Sequence, residues 1–272
     1  MSSGAPAKIN LGLVVGPVRA NGKHEVVTLL QRIDLRDEID VDPRDDGAVV
    51  VDGYPGDTLV RDALAALAER SGAGPGWHVR LEKRIPVAAG LGGGSSDAAE
   101  ALKLANAHLA NPLSTVELRA LAADLGADVP FFLTEGTQLG SGDGSELASV
   151  SIPLDFSVLL VLPRGERKLS TADVYRAFDE RGGPNEFDAR RTMLLEAVDR
   201  VREPRDLASL PPNDLASSPL AAELESLGAF RADVSGAGPV VYALFEGPGE
   251  AESAARATGD ARTIWLTRPV SS

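Results

Sequence analysis

The feature that most constrains this chain is a glycine- and serine-rich segment, Pro86-Val-Ala-Ala-Gly-Leu-Gly-Gly-Gly-Ser-Ser-Asp-Ala-Ala-Glu100. Three consecutive glycines carry no Cβ that would hold a ligand away, so backbone N–H groups can approach an anion closely. The amphipathic pattern that follows predicts a helix, whose N-terminus adds unpaired N–H groups and the positive end of the helix dipole. The segment therefore predicts a phosphate-binding loop.

Two well-known phosphate loops do not fit this segment. A Walker loop needs Lys followed by Ser or Thr after its last glycine, and the segment contains no lysine. A dinucleotide fingerprint counted from Gly90 needs Gly or Ala where Ser95 stands, and the acidic residue expected about 20 positions on is absent. A second interpretation of the segment is a glycine turn that only caps a helix. The two serines count against it, because one hydroxyl can cap the helix while the other binds a metal ion or phosphate oxygen.

The composition is that of a globular protein, with 43% hydrophobic and 25% charged residues in a chain of 272. That length suffices for one large domain or two smaller ones. The absence of cysteine excludes disulfides and thiolate chemistry and favours a reducing compartment. The first residues lack a secretory signal pattern, and no apolar run reaches the length of a membrane span. We therefore expect a cytoplasmic protein with no membrane partner.

The charge pattern limits the partners further. A formal net charge of −13 argues against nucleic acid, because binding its backbone requires a basic surface. A nucleotide ligand stays possible, since remote charges are screened beyond about 8–10 Å while a phosphate loop acts at contact distance. The three histidines, His24, His78 and His108, have no metal-ligand spacing, so we assign no protein residue as a metal ligand by this route. The sequence gives no indication of oligomeric state.

Hydrophobic periodicity predicts an α+β protein. Strands are predicted at 9–15, 33–41, 49–51, 78–85, 156–162, 240–245 and 263–267, and helices at 59–70, 115–125, 171–180, 189–201 and 250–257. The helix after the glycine segment is expected to bury Ala98, Leu102, Ala105 and Leu109. We also expect an apolar strand directly after Asp128 and a glycine-rich turn at 140–144. Two α+β halves, 1–152 and 153–272, are the simplest domain organisation.

Besides the glycine segment, three further features of the sequence are candidates for a functional site. Lys8 and Asn10 share one face of the first predicted strand. Asp128 follows a helix end, and a short Ser235-Gly-Ala-Gly238 turn precedes a late strand. From the residues alone, Lys8 could be a surface lysine, Asp128 could cap the turn before Pro130, and the late turn could be a plain connection.

The ordered set of these segments resembles the GHMP kinases, a superfamily that includes galactokinase, homoserine kinase, mevalonate kinase and phosphomevalonate kinase. The resemblance is carried by Pro6-Ala-Lys-Ile-Asn-Leu-Gly12, the glycine segment, Leu125-Gly-Ala-Asp-Val-Pro130 and Ser235-Gly-Ala-Gly-Pro239, and it spans nearly the whole chain. Within the superfamily, the chain is most similar to the kinases of 4-diphosphocytidyl-2-C-methyl-D-erythritol. The resemblance implies an N-terminal ATP-binding domain of ribosomal-protein type over 1–152 and a ferredoxin-like domain over 153–272.

The resemblance also implies site residues. ATP would be bound by Pro86, Val87, Ala88, Ala89, Gly90, Leu91, Gly92, Gly93, Gly94, Ser95 and Ser96. Asp128 would accept the proton of the substrate hydroxyl, and Lys8 would keep Asp128 ionised and stabilise the developing charge. Mg²⁺ would accompany ATP, with Ser95 or Ser96 as its protein contact.

The same resemblance assigns the substrate to a second set of residues: Asn10, Lys23, His24, Asp128, Thr171, Tyr175, Gly236 and Gly238. Related kinases have a Tyr-His pair where this chain has Lys23-His24, so one stacking ring is missing and about 1–3 kcal/mol of base stacking with it. Tyr175 matches the other stacking position, although it also suits the core face of a helix.

The function that the resemblance implies is ATP-dependent phosphorylation of the 2-hydroxyl of 4-diphosphocytidyl-2-C-methyl-D-erythritol, in the non-mevalonate route to isoprenoid precursors. Lys23 keeps open a kinase of another small alcohol, of the homoserine or mevalonate type. A non-catalytic, ligand-sensing relative is the second alternative. Lys8 and Asp128 argue against it, because a sensor needs no proton acceptor.

Overall fold

The computed structural model describes residues 3–54, 56–72, 75–163, 170–259 and 262–271. The strands are β1 Ser3–Val18, β2 His24–Arg44, β3 Val49–Asp52, β4 Gly76–Glu82, β5 Thr137–Ser141, β6 Glu146–Val150, β7 Ser157–Pro163, β8 Arg231–Val234, β9 Val241–Phe245 and β10 Arg262–Thr267. The helices are α1 Leu59–Ser71, α2 Gly93–Ala107, α3 Thr115–Leu125, α4 Thr171–Glu180, α5 Phe187–Arg200, α6 Pro219–Ser226 and α7 Pro248–Ala257. Two 3₁₀ helices span Pro130–Leu133 and Pro204–Ser209.

The chain divides into two compact units that alternate along the sequence. Unit 1 contains Met1–Ala7, Leu35–Val87 and Gly92–Glu135, and unit 2 contains Lys8–Asp34, Ala88–Leu91 and Gly136–Ser272. Strands β1 and β2 therefore contribute residues to both units. The predicted halves 1–152 and 153–272 are continuous in sequence, and a functional boundary between them stays a prediction.

Unit 1 combines a small sheet with three helices. The second part of β2 pairs antiparallel with β4, from Glu38 opposite Glu82 to Arg44 opposite Gly76, and β3 pairs parallel with β4. Helix α1 packs on α2, and both helices have regularly spaced apolar residues that are fully buried, which include Val60, Leu64, Ala98 and Leu102. This packing fixes the axis of α2, the helix that follows the glycine segment.

Unit 2 contains an antiparallel sheet in the order β10-β7-β9-β8. Helices α6 and α7 contribute Leu220, Leu224, Ala251 and Ala254 to the apolar core on this sheet. A second apolar cluster joins Leu13 and Val15 of β1 to Val174 and Phe178 of α4. The first part of β2 pairs with β5, and β5 forms a hairpin with β6.

The predictions for the regular elements are mostly confirmed, with informative exceptions. The residues after Asp128 form a 3₁₀ helix and not a strand, because Pro130 at its first position fixes φ and lacks an N–H. Gly140 lies within β5, so the turn is shorter than predicted. Helix α2 ends at Ala107, which leaves Leu109 outside it. Helix α6 and strands β5, β6 and β8 were not predicted, since all four are short and β8 contains Arg231 and Asp233.

Candidate functional site

The glycine segment opens helix α2 without help from a side chain. Gly92 is the N-cap residue, with a φ of 69°, and its carbonyl accepts the N–H of Ser96 at 2.9 Å. No side chain caps the helix, so the predicted capping serine is wrong, and Ser95 and Ser96 both lie inside α2. The first N–H groups of an α-helix have no acceptor within the helix. These N–H groups are therefore available to an anion.

Gly94 leaves open space at this helix end. It is exposed, and a Cβ built on it would meet no atom within 4 Å. Gly93 is tighter, since its Cβ would lie 3.0 Å from Cγ2 of Ile85 and 3.4 Å from Nζ of Lys83. The geometry thus provides room for a ligand over the first turn of α2, which fits the predicted phosphate loop.

Gly90 brings the preceding part of the loop into backbone contact with the Ser235–Gly238 turn. Its φ is 83°, and a Cβ there would lie 2.0 Å from the carbonyl oxygen of Ser235. The hydroxyl of Ser235 donates to the Gly90 carbonyl at 3.0 Å, and the Val240 N–H donates to the Ala89 carbonyl at 3.3 Å. Two of the segments singled out in the sequence are therefore packed together within unit 2.

Lys8 and Asn10 lie in the same cluster of unit 2. Lys8 is buried, with 4% of its surface exposed, and its ammonium donates to Oδ1 of Asn10 at 2.6 Å. Asn10 donates in turn to Thr28 at 2.8 Å, and Thr28 donates to the carbonyl of Gly12 at 2.9 Å. This chain of hydrogen bonds fixes the direction of the Lys8 side chain, so Lys8 is not a surface lysine.

Gly236 approaches this cluster closely. A Cβ on it would lie 3.3 Å from Oδ1 of Asn10 and 3.5 Å from Nζ of Lys8. Asn213 holds the turn from the other side, since its amide donates to the carbonyls of Val234 at 2.9 Å and Gly236 at 2.7 Å. Lys8, Asn10, Gly90 and Gly236 are thus brought together, as the ordered motifs suggest.

Asp128 belongs to unit 1. It is half-buried in the turn between α3 and the 3₁₀ helix, where the Val129 N–H donates to the Gly126 carbonyl at 3.1 Å. Backbone hydrogen bonds from Gly126 to Ala122 at 3.2 Å and from Phe132 to Val129 at 3.2 Å hold the chain before and after this turn. Its assignment as proton acceptor, and its predicted pairing with Lys8, stay predictions.

His24 and Tyr175 are in direct contact in unit 2. Their ring centroids are 4.7 Å apart with an interplanar angle of 35°, and Nε2 of His24 lies 2.9 Å from Oδ1 of Asp179. No base fits between two rings at that separation. Tyr175 also packs against the cluster around Leu13 and Phe178, which agrees with its alternative as a core residue. Thr171 is exposed at the first position of α4.

Lys23 is held at a neighbouring hairpin and does not stack on this pair. Its ammonium bonds Oδ2 of Asp143 at 2.6 Å, and 51% of the Lys23 side chain is exposed. Burial acts to raise the pKa of Asp143, but hydrogen bonds from Lys23 and Ser145 lower this pKa to about 2. The ion pair therefore persists across the physiological pH range.

Ser96 fits a bound cation or phosphate. Its hydroxyl oxygen is buried and has no hydrogen-bond partner, although buried polar atoms are nearly always paired. Within the described ranges, no group of three His, Asp or Glu residues could hold a metal ion. Mg²⁺ at phosphates is commonly held by one or two protein oxygens together with the phosphates, so a single hydroxyl suits it.

A buried charged cluster beside the loop was missed in the sequence. Lys83 bonds the carboxylates of Asp37 and Asp97, and both acids are fully buried. Burial raises the pKa of Asp97 to about 7, against the opposing effect of Lys83. The available signal was the position of Lys83 just before the glycine segment and of Asp97 just after Ser96.

Comparison with known proteins identifies related chains over the whole length. Family models described as the GHMP kinases N terminal domain and the GHMP kinases C terminal domain match residues 58–136 and 194–261. A 4-diphosphocytidyl-2-C-methyl-D-erythritol kinase of Salinispora arenicola (strain CNS-205) is 38% identical over 92% of this chain and 85% of its own. The kinase of that name from Desulfitobacterium hafniense (strain Y51) is 34% identical over 97% of this chain and 91% of its own.

Solved structures extend the comparison. A crystal structure of 4-(cytidine 5'-diphospho)-2C-methyl-D-erythritol kinase matches with a TM-score of 0.79 and 32% identity, covering 100% of both chains. A mevalonate kinase matches with a TM-score of 0.77 but 14% identity, which shows a shared fold alone. In the part of the chain that the structure describes, no helix is long and apolar enough to cross a membrane.

Proposed function

Because the chain belongs to the GHMP kinase family, and within it to the 4-diphosphocytidyl-2-C-methyl-D-erythritol kinases, we propose that it phosphorylates the 2-hydroxyl of that compound with ATP. The observation that supports this substrate is the 32% identity, over the full length of both chains, to a solved kinase that is named for the same compound. The mevalonate kinase with nearly the same fold shares only 14%. The fold supports the reaction class, and the identity supports the substrate.

The loop at the start of α2 would bind the phosphates of ATP. The N–H groups of Gly93, Gly94 and Ser95 lie in the first turn of the helix, and Gly94 leaves space for an anion. The buried hydroxyl of Ser96 would contact Mg²⁺ or a phosphate oxygen. Mg²⁺–ATP, when bound, supplies the transferable phosphoryl group and a cation that neutralises its charge.

Asp128 and Lys8 would act on the substrate hydroxyl. Asp128 would accept the proton as the 2-oxygen forms its bond to the γ-phosphorus and the bond from that phosphorus to ADP breaks. Such proton transfer contributes about 10²–10⁴ in rate. The ammonium of Lys8, oriented by Asn10 at 2.6 Å, would stabilise the negative charge that develops.

The cytidine end of the substrate would bind at the His24–Tyr175 pair. Because the two rings touch, a base would have to separate them to stack on Tyr175, while His24 reads the edge of the base. Thr171, Asn10 and the glycines 236 and 238 would complete the substrate site. Lys23, held by Asp143, would contact substrate through its charge and not through stacking.

A kinase of another small alcohol is the second candidate, and the observation that favours it is Lys23 in its ion pair with Asp143. The test compares kcat/KM of the purified protein for 4-diphosphocytidyl-2-C-methyl-D-erythritol, homoserine and mevalonate, with ADP release as the readout. We expect turnover of the cytidyl compound and at least about a hundredfold preference for it over the others. Turnover of homoserine or mevalonate without turnover of the cytidyl compound would move the chain to the second candidate.

A further inference from the structure

The Lys83 cluster joins the two ends of the glycine segment within unit 1. At the entry side, one carboxylate oxygen of Asp37 accepts the backbone N–H groups of Arg84 at 2.5 Å and Ile85 at 2.8 Å. These two residues directly precede Pro86. The other oxygen of Asp37 accepts a hydrogen bond from Lys83. Asp37 therefore fixes the backbone that enters the loop.

At the exit side, the same lysine reaches helix α2. Its ammonium bonds Oδ2 of Asp97, the fifth residue of α2, at 2.5 Å. It also lies next to Gly93, since a Cβ on that residue would be 3.4 Å from Nζ. One ammonium group thus connects the strand side of the loop to the helix whose first N–H groups have no acceptor within it.

The charged groups of this cluster are more deeply buried than those of a surface ion pair. Both carboxylates are fully buried, and 14% of the Lys83 side chain is exposed. A buried ion pair of this kind contributes little net stability, because the desolvation of its charges offsets their attraction. Such an ion pair instead holds the segments that it connects in a fixed geometry. We propose that Lys83, through Asp37 and Asp97, is a positioning residue that sets the spacing of the phosphate loop and thereby its affinity for ATP.

This inference rests on the proposed function, because it assumes that the loop binds ATP. The main test is the double variant Lys83→Met/Asp97→Asn, which removes one positive and one negative partner, so that the net charge of the cluster is unchanged and Asp37 keeps the N–H groups of Arg84 and Ile85. We expect its Kd and KM for ATP to rise about tenfold or more, since loop N–H groups lose their alignment. We expect kcat at saturating ATP to change by less than about threefold, because the reacting groups are untouched.

Two measurements separate positioning from stability alone. Calorimetric ATP binding without an acceptor and amide hydrogen exchange at Ser96, whose N–H donates to the Gly92 carbonyl, are compared between wild-type and variant, and we expect faster exchange in the variant. Lys103→Met is the matched control, because Lys103 also pairs with a carboxylate of α2, Glu100, but is 47% exposed. The control should bind ATP as the wild-type does.

The inference would be overturned if the double variant unfolds at a lower denaturant concentration but keeps the ATP affinity and the amide exchange rates of the wild-type. If the double variant does not fold, Asp97→Leu alone decides, because it removes the acceptor of Lys83 on α2 and keeps the bond of Lys83 to Asp37. An unchanged Kd for ATP in that variant would likewise overturn it. Absence of turnover on the cytidyl substrate contradicts only the proposed function, since ATP binding and exchange need no acceptor.

Discussion

A side chain at Gly94 would meet open space, whereas a side chain at Gly90 would meet backbone. Nothing lies within 4 Å of the would-be Cβ of Gly94, and Gly94 occupies the second position of α2. Gly94→Ala should leave folding intact or stabilise it by up to about 1 kcal/mol, because alanine favours the helix. The added methyl would project into the space for the phosphates, so we expect KM for ATP to rise about tenfold.

Gly249→Ala is the matched control for that variant. Gly249 is also exposed, also stands second in its helix, α7, and also has no atom within 4 Å of its would-be Cβ. The measurement is the KM for ATP together with urea unfolding of both variants. Equal KM values for Gly94→Ala and wild-type would mean that no anion approaches this turn.

Gly90 is required by the fold itself. Gly90→Ala would place its methyl 2.0 Å from the Ser235 carbonyl oxygen, in a residue whose φ is 83°. We expect a loss of well over 1 kcal/mol in the free energy of unfolding, since backbone must move as well as adopt an unfavourable φ. Gly72→Ala isolates the second effect, because Gly72 has a φ of 75° and open space around it. A loss no larger than that of Gly72→Ala would contradict the close packing.

At this scale the sequence predicts side-chain direction but not distant contacts. The alternation of β1 correctly places Lys8 and Asn10 on one face, where they bond at 2.6 Å. It does not predict that Gly236 lies against them, because that contact joins residues more than 220 positions apart and depends on the whole of unit 2. The capping role expected of a serine is wrong for a local reason: Gly92 adopts a positive φ and the helix begins before either serine.

Among the elements, helix α2 carries a titratable group that links stability to pH. Burial raises the pKa of Asp97 from 3.8 to about 7 in the folded chain. The folded state therefore binds this proton more strongly than the unfolded state, and its contribution to stability is lost as the pH rises from about 4 to about 7. Asp97→Asn lacks this titration, so we expect the variant to gain stability relative to wild-type between pH 5 and pH 8.

Urea unfolding at both pH values measures this difference directly. The groups that face Asp97 are Lys83, which opposes the pKa shift, and Asp37 and Asp57, which add to it. Glu117→Gln serves as the comparison on the next helix, because Glu117 lies at the exposed capping box of α3. If the free energies of unfolding of Asp97→Asn and wild-type differ by the same amount at both pH values, the raised pKa of Asp97 is contradicted.

Long amphipathic elements were predictable and short or polar ones were not. The spacing of apolar residues predicted α1, α3, α4 and α5 within a few residues of their ends. Strand β8 was missed because buried Arg231 and Asp233 interrupt its apolar pattern, and their hydrogen bonds to distant groups cannot be read locally. The strand expected after Asp128 failed because one proline outweighed the apolar residues that follow it.

For the whole molecule, fold and substrate are specified at different levels. Kinases for two substrates match this chain with TM-scores of 0.79 and 0.77, while the identities are 32% and 14%. A shared fold therefore does not by itself specify the substrate. We propose that the substrate depends on a few side chains such as His24 and Tyr175, whose ring contact the sequence motifs do not predict.

We propose that this chain transfers a phosphoryl group with Asp128 as the proton acceptor. The direct measurement follows labelled γ-phosphate in a single turnover on 4-diphosphocytidyl-2-C-methyl-D-erythritol, in wild-type and Asp128→Asn protein, with ATP binding measured in parallel. We expect labelled product from wild-type, transfer at least about a hundredfold slower in the variant, and similar ATP affinity in both. Transfer at the wild-type rate by Asp128→Asn, or no labelled product from the wild-type protein, would contradict the claim.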